Sequence, residues 1–338
     1  MSMSELRIAV LGAGSIGAYV GGALIGAGAD VTLIGRARMR ERIALHGLTV
    51  SDMDGRNTRL SAAQVDYTED PSALAGAGLV LVTVKSADTD SSAQLLALHA
   101  APDALIVSLQ NGIGNADVLR RVLPGRTVLA GMVPFNVVQL ADSRFHRGTE
   151  GNLMVEASPA LAPWLTMFEA AGLPLAQRAD FVAVQWGKLL LNLNNSVNAL
   201  SGIPLKAQLS DRNYRRCLAL LIDEALRALD AAGIVPAQIG KVPPARMPRL
   251  MRLPDWLFKR IAAAALRVDP EARSSMWEDL QAGRRTEVDY LNGAVVALAE
   301  KAGLDATANR RIVALVHEAE QRKVGGLSGQ ALLDALKG

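Results

Sequence analysis

The chain has 338 residues, half of them hydrophobic and one fifth charged, with a net charge of only +3. That length exceeds the usual single domain of about 100 to 200 residues, so two domains sharing a cleft are expected. Charge of such mixed sign does not suggest a nucleic-acid binder. The single cysteine, Cys217, excludes an internal disulfide, and within Cys217-Leu-Ala-Leu-Leu-Ile it reads as a buried helix position in a reducing compartment. Glu5 and Arg7 directly precede a short apolar run, unlike a secretion signal, and no apolar run approaches the roughly 18 residues that span a bilayer. A soluble, cytoplasmic protein without a membrane partner is expected.

Up to about residue 178, short β-branched runs alternate with helical patterns, the mark of stacked βαβ units. Continuous apolar runs at 6–11, 31–34, 79–84, 105–109 and 128–133 read as strands covered by helices on both faces, and runs at 153–155 and 173–176 finish the sheet. Beyond about residue 180 the period becomes helical, with patterns at 182–200, 214–232, 288–303 and 307–321. The expected fold is α/β, a Rossmann-type domain with a mainly parallel sheet over 1–178, followed by an all-α domain over 179–338. The stretch 242–254 carries four prolines and is expected to be an irregular connection.

Gly12-Ala13-Gly14-Ser15-Ile16-Gly17 follows the first strand and opens a helix. Gly12 permits a tight turn, Gly14 lets backbone approach a pyrophosphate, and Gly17 allows close helix–strand packing, while the helix N-terminus supplies free N–H groups. The strand before and the helix after favour a dinucleotide site over a ligand-free glycine turn. Near the end of the second strand, Leu33-Ile34-Gly35-Arg36-Ala37-Arg38 lacks the carboxylate that usually holds a ribose 2'-hydroxyl. Arg36 offers a planar fork for a 2'-phosphate, which favours NADP over NAD, the alternative being a solvated basic loop. Lys85 and Asn111 follow later strands at the same sheet edge, where ligands of open α/β sheets bind. Lys85 reads equally as a surface lysine, and Asn111-Gly112 equally as a plain turn.

The helical half opens with Trp186-Gly-Lys188-Leu-Leu-Leu-Asn192-Leu-Asn194-Asn195-Ser196. At about 100° per residue, Asn192 lies about 40° from Lys188, Asn195 about 20° to the other side and Ser196 about 80° away. Four leucines fill the remaining directions, so a largely buried helix carries a lysine and amides on one face. A buried lysine needs a partner or a task, which makes this stripe a site candidate; the plainer reading is a polar face covered by water. Glu287, at the start of a later helix, reads by itself as a carboxylate stabilised by the helix dipole. Ser275 stands twelve residues before it. The four histidines are scattered, without the spacing of a metal site.

Taken together, Gly12-x-Gly14-x-x-Gly17, Lys85, Asn111-Gly112, the Lys188 helix and Arg285-Thr-Glu287-Val-Asp-Tyr-Leu-Asn-Gly293 resemble the ketopantoate reductase (2-dehydropantoate 2-reductase) family in order and spacing. The resemblance spans nearly the whole chain and implies a helical domain like the C-terminal domain of 6-phosphogluconate dehydrogenase. It implies an NADP(H)-dependent reductase that turns ketopantoate into (R)-pantoate on the route to pantothenate. Lys188 is then the proton donor; Asn192 and a second helix amide bind substrate, Ser275 contacts it, Glu287 borders cofactor and substrate, and Asn111 contacts NADP. The chain departs from the pattern at Ser196, where the family usually has Asn, leaving Asn195 or Ser196 as the second contact. It departs again at Ala272, which replaces a further Asn. These departures keep open a related reductase of another small 2-oxo acid. A non-catalytic dinucleotide sensor is a further alternative. Six Lys or Arg within 241–260 against Asp255 alone suggest a lid or subunit contact before an anionic surface. Helical domains of this sort often pair, so a homodimer is the assembly allowed for.

Overall fold

The computed structural model describes residues 6–261, 272–322 and 326–338. Contacts divide the chain into two compact units, Met1–Phe181 and Val182–Gly338.

In the first unit β1 (Ile8–Leu11) leads into α1 (Ser15–Gly26) and β2 (Val31–Ile34), then α2 (Ala37–His46), β3 (Leu48–Asp52), β4 (Asn57–Leu60) and β5 (Asp66–Thr68). There follow β6 (Leu79–Val82), α3 (Thr89–His99), β7 (Leu105–Ser108), α4 (Asn115–Val122) and β8 (Val128–Met132). The unit closes with β9 (Val137–Gln139), β10 (Arg144–Arg147), β11 (Leu153–Glu156), α5 (Leu165–Ala170) and β12 (Leu175–Arg178).

Eight strands form one sheet in the order β12-β11-β8-β7-β6-β1-β2-β5. All its neighbours run parallel except β8 and β11. β1, β2, β6 and β7 are buried at every residue, which is why their sequences are continuously apolar rather than alternating. A second sheet, β4-β3-β10-β9, was not foreseen. Its strands are short and three of them carry charged residues, such as Arg144 and Arg147 in β10, so no apolar run announces them.

This second sheet explains the composition of α1. A Cβ on Gly21 would meet Leu33 of the main sheet, whereas one on Gly22 would meet Val50 and Leu48 of the small sheet. Covered from two directions, α1 is apolar all round and has no polar stripe. Tyr19 of this helix is fully buried, edge-on to Phe135 at 5.7 Å between ring centres.

The second unit contains helices alone among its described residues. α6 (Phe181–Asn192), α7 (Asn194–Ser201) and α8 (Leu205–Ser210) lead to α9 (Arg212–Ala231), then α10 (Met247–Met251), α11 (Asp255–Ile261), α12 (Ser275–Gln281), α13 (Val288–Lys301), α14 (Thr307–Arg322) and α15 (Gly329–Lys337). Cys217 is fully buried in α9, and burial pushes its thiol up to about 12.

The proline-rich 242–254 stretch is not an irregular connection. A 3₁₀ turn at Pro244–Arg246 and α10 occupy most of it, with Pro244 and Pro248 in first turns, where a missing N–H costs nothing. Arg215, fully buried in α9, donates to the carbonyls of Met251 at 3.0 Å and Leu253 at 2.8 Å, pairs with Asp255 and lies over the Phe258 ring. The lone acid of the basic stretch thus serves an internal clamp, and Arg252 is spent on Asp223. Residues 262–271, which follow α11, lie outside the described residues.

Candidate active site

The parallel register Leu11↔Val82↔Ser108, with Leu11↔Ile34 on the other side, brings the loops after β1, β2, β6 and β7 to one edge of the sheet. At the β1–α1 turn Gly12 has φ +104°, and a Cβ there would strike the Val84 nitrogen at 2.6 Å. Only glycine fits. A Cβ on Gly17 would come within 2.5 Å of both the Gly12 carbonyl and Thr83 Oγ1. Thr83 donates to the Gly12 carbonyl at 2.7 Å and so braces the turn. Above Gly14 the space is open, with the nearest atom 4.0 Å from a notional Cβ. Ser15 and Ile16 start α1 without a capping side chain or an acid in the first turn, so its N–H groups and positive dipole end are available to an anion. Ala13 is fixed by its N–H to Ile34 O at 2.9 Å. The cradle therefore fits a pyrophosphate.

Beside it, Arg36 caps the N-terminus of α2 with its backbone, is exposed, and makes no ion pair among the described residues. Tyr67 of β5 donates to the Arg36 carbonyl at 3.1 Å, and burial pushes its phenol up to about 12. The neighbouring strand also brings up Glu69, a carboxylate not anticipated here, but it pairs with Arg40 at 3.1 Å.

The loops after β6 and β7 are joined by a buried polar network that sequence reading missed. Lys85 immediately precedes Ser86, whose Oγ donates to the Asn111 carbonyl at 2.8 Å. Asn115 Nδ2 reaches the same carbonyl at 2.7 Å and Ser86 Oγ at 3.1 Å. Thr89 Oγ1 lies 2.8 Å from Asn115 Oδ1 and receives Gln110 Nε2 at 2.8 Å, while Ser108 donates to Gln110 Oε1 at 2.9 Å. The partners stand 21 to 29 residues apart across the two loops, so the only local signal is a Ser/Thr helix start at Ser86 and Thr89.

In the helical unit Lys188 lies in α6 beside the buried Trp186, Leu189 and Leu190, itself keeping partial surface exposure while its amine is enclosed. Desolvation pulls its amine down from 10.5 to about 8. The helix expected over 182–200 is interrupted at Leu193. Past the break, Asn194 forms a reciprocal amide pair with buried Gln208, at 3.2 and 3.0 Å. Ser196, expected to face substrate, is fully buried, and its hydroxyl donates to the Leu193 carbonyl at 3.0 Å. Asn192 and Asn195 both keep partial exposure.

The structure does bring Ser275 to this helix pair. Ser274 caps α12, accepting from Trp277 N at 3.2 Å, and ties it to α7 through its Oγ on the Asn195 carbonyl at 3.2 Å and its N–H on Asn198 Oδ1 at 2.9 Å. Ser275 is left exposed at the first position of α12. Asn194 and Asn198, indistinguishable by type from Asn192 and Asn195, are thus structural. Glu287 is half-buried at the N-cap of α13, next to Thr286, whose N–H donates to Glu320 at 2.7 Å.

A glycine cradle at the carboxyl edge of a parallel sheet is the form of a dinucleotide-binding protein, and the same chain carries a desolvated lysine on a mainly apolar helix. Family models described as "Ketopantoate reductase PanE/ApbA" and its C-terminal part match residues 8–159 and 180–320. A 2-dehydropantoate 2-reductase of Halobacterium salinarum is 31% identical, the match covering 94% of this chain and 99% of that protein. The crystal structure of a PanE/ApbA family ketopantoate reductase from Ralstonia eutropha JMP134 superposes with a TM-score of 0.80 at 30% identity, covering 94% of this chain and 99% of that one. A D-mandelate dehydrogenase solved with NADH shares the fold at 18% identity and a TM-score of 0.76, covering 94% and 99%. The chain belongs to the ketopantoate reductase family.

Proposed function

We propose that this chain is an NADPH-dependent 2-dehydropantoate 2-reductase, converting ketopantoate to (R)-pantoate for pantothenate synthesis. The observation that carries the reading is Lys188, on a mainly apolar helix that also bears Asn192, its amine pulled to about 8 by burial. The full-length similarity to 2-dehydropantoate 2-reductases supports the substrate, and exposed Arg36, without an ion pair among the described residues, supports the 2'-phosphate of NADPH.

Bound, the dihydronicotinamide supplies the hydride that reduces the C2 carbonyl. The Gly12–Gly17 turn and the α1 N-terminus hold the pyrophosphate, Arg36 the 2'-phosphate, and Lys85 and Asn111 the part of the cofactor nearer the nicotinamide. Lys188 donates a hydrogen bond to the carbonyl oxygen as negative charge grows there, then gives it a proton. With its amine near 8, the ammonium form prevails at neutral pH, yet it releases its proton far more readily than an ordinary lysine. Asn192, Asn195 and Ser275 orient the substrate's carboxylate and hydroxyl, and Glu287 accepts from a substrate hydroxyl or aligns Lys188. Ser196 is the weaker choice for the second contact, since its hydroxyl is engaged on Leu193.

The experiment is the loss of NADPH absorbance with ketopantoate, run beside NADH and a panel of other small 2-oxo acids. Fastest turnover of ketopantoate with NADPH is expected. Preference for another 2-oxo acid overturns the substrate, preference for NADH overturns the role of Arg36, and binding without oxidation leaves a dinucleotide sensor.

A further inference from the structure

We infer that Asn115, with Thr89, is a positioning residue that sets the spacing between Lys85 and Asn111 and so controls how the nicotinamide half of the cofactor is held. The inference rests on the proposed dinucleotide site and concerns residues that do not themselves touch the ligand.

Each of the two loops is held by the other. The Asn111 carbonyl accepts from both Ser86 Oγ and Asn115 Nδ2, so the backbone carrying the Asn111 side chain is fastened on one side to its own helix α4 and on the other to the residue next to Lys85. Asn115 makes the joint specific. Its amide nitrogen serves Asn111 and Ser86 while its oxygen lies 2.8 Å from Thr89 Oγ1, engaging both loops at once. Thr89 then relays to Gln110 and Ser108, anchoring the joint in the end of β7. Ser86, Thr89, Ser108, Gln110 and Asn115 are all at least nine-tenths buried. Side chains satisfied inside a low-dielectric setting hold one geometry, because any slip leaves a buried donor or acceptor unpaired. Asn111 itself is exposed at the tip. A rigid base beneath an exposed side chain is what a ligand contact needs to be held within a few tenths of an ångström.

The pyrophosphate cradle and Arg36 lie on the loops after β1 and β2 and take no part in this network. A loss of positioning should therefore divide the cofactor in two, weakening NADPH while sparing 2',5'-ADP, which carries only the adenosine half. The test measures both dissociation constants and kcat for Asn115→Asp, which keeps the oxygen facing Thr89 but loses the donor to Asn111 and Ser86, and for Thr89→Val and Thr89→Ser. Asn115→Asp and Thr89→Val are expected to weaken NADPH by about tenfold or more with 2',5'-ADP unchanged, and Thr89→Ser to restore wild-type values. Should Asn115→Asp fail to fold, the Thr89 pair decides. Unchanged NADPH binding in Thr89→Val, or equal weakening of both ligands, overturns the inference. A wild-type protein that binds neither ligand instead overturns the dinucleotide reading on which it rests.

Discussion

The two units carry their candidate groups in different forms. In the first, the cradle is backbone: Gly12, Gly14 and Gly17 leave room that a side chain would fill, and the N–H groups at the start of α1 are the proposed hold on the pyrophosphate. In the second it is side chains, a lysine, two amides and a serine set on helices by leucine packing and the Ser274 cap. A backbone site is disturbed by adding atoms, a side-chain site by removing them, and the two kinds of damage should register in different constants.

The largest effect is expected from removing the amine. Positioned proton transfer contributes about 10² to 10⁴-fold, so Lys188→Ala should lower kcat by that factor while the NADPH dissociation constant, measured by fluorescence titration, stays put. Adding atoms to the cradle should do the reverse. In Gly17→Val the new carbons meet the Gly12 carbonyl and Thr83, and displaced N–H groups lose charge-assisted bonds of about 1.5–3 kcal/mol each. NADPH should bind about 10 to 100-fold more weakly, and thermal melting should show overpacking of about 1–3 kcal/mol. If Gly17→Val changed kcat alone, the contrast between the units would fail.

Arg36→Ala sharpens the point within the first unit, since a single exposed, salt-screened side chain is at stake. NADPH should weaken about tenfold, with NADH unaffected, in parallel titrations. Smallest is the pair on α12. Ser275→Ala should raise the KM for the 2-oxo acid by a few-fold, whereas Ser274→Ala should leave that KM near wild type and cost about 1 kcal/mol of stability by denaturant titration, as loss of a cap does.

The same contrast governs what could be read from sequence. The Gly12–Gly17 turn is local, its meaning carried by three glycines between a strand and a helix, and the apolar runs of β1, β2, β6 and β7 follow from burial on both faces. The small sheet was invisible because its strands are short and three of the four carry charged residues. The joint between the β6 and β7 loops was invisible because Thr89 and Asn115 are brought together by parallel strand pairing rather than by spacing. On α6 the anomaly of a lysine among leucines was legible. Past Leu193 the polar side chains divide: Asn194 pairs with Gln208, Asn198 with Ser274 and Ile203, and Ser196 with the helix backbone. Residue type alone could not separate the two structural asparagines from the two candidates for substrate.

The account turns on an ammonium whose proton is loosened by burial, and the second-order rate constant kcat/KM for ketopantoate at saturating NADPH, followed against pH, tests it most directly because it reports the protein before substrate binds. Burial lowers the amine to about 8, so the proton-bearing form that reduction requires is present below that pH and lost above it. The rate constant should be level from about pH 6 to 7 and fall as pH rises through about 8, approaching a tenfold loss per unit beyond. A rate constant that holds level through about pH 9.5 would contradict it.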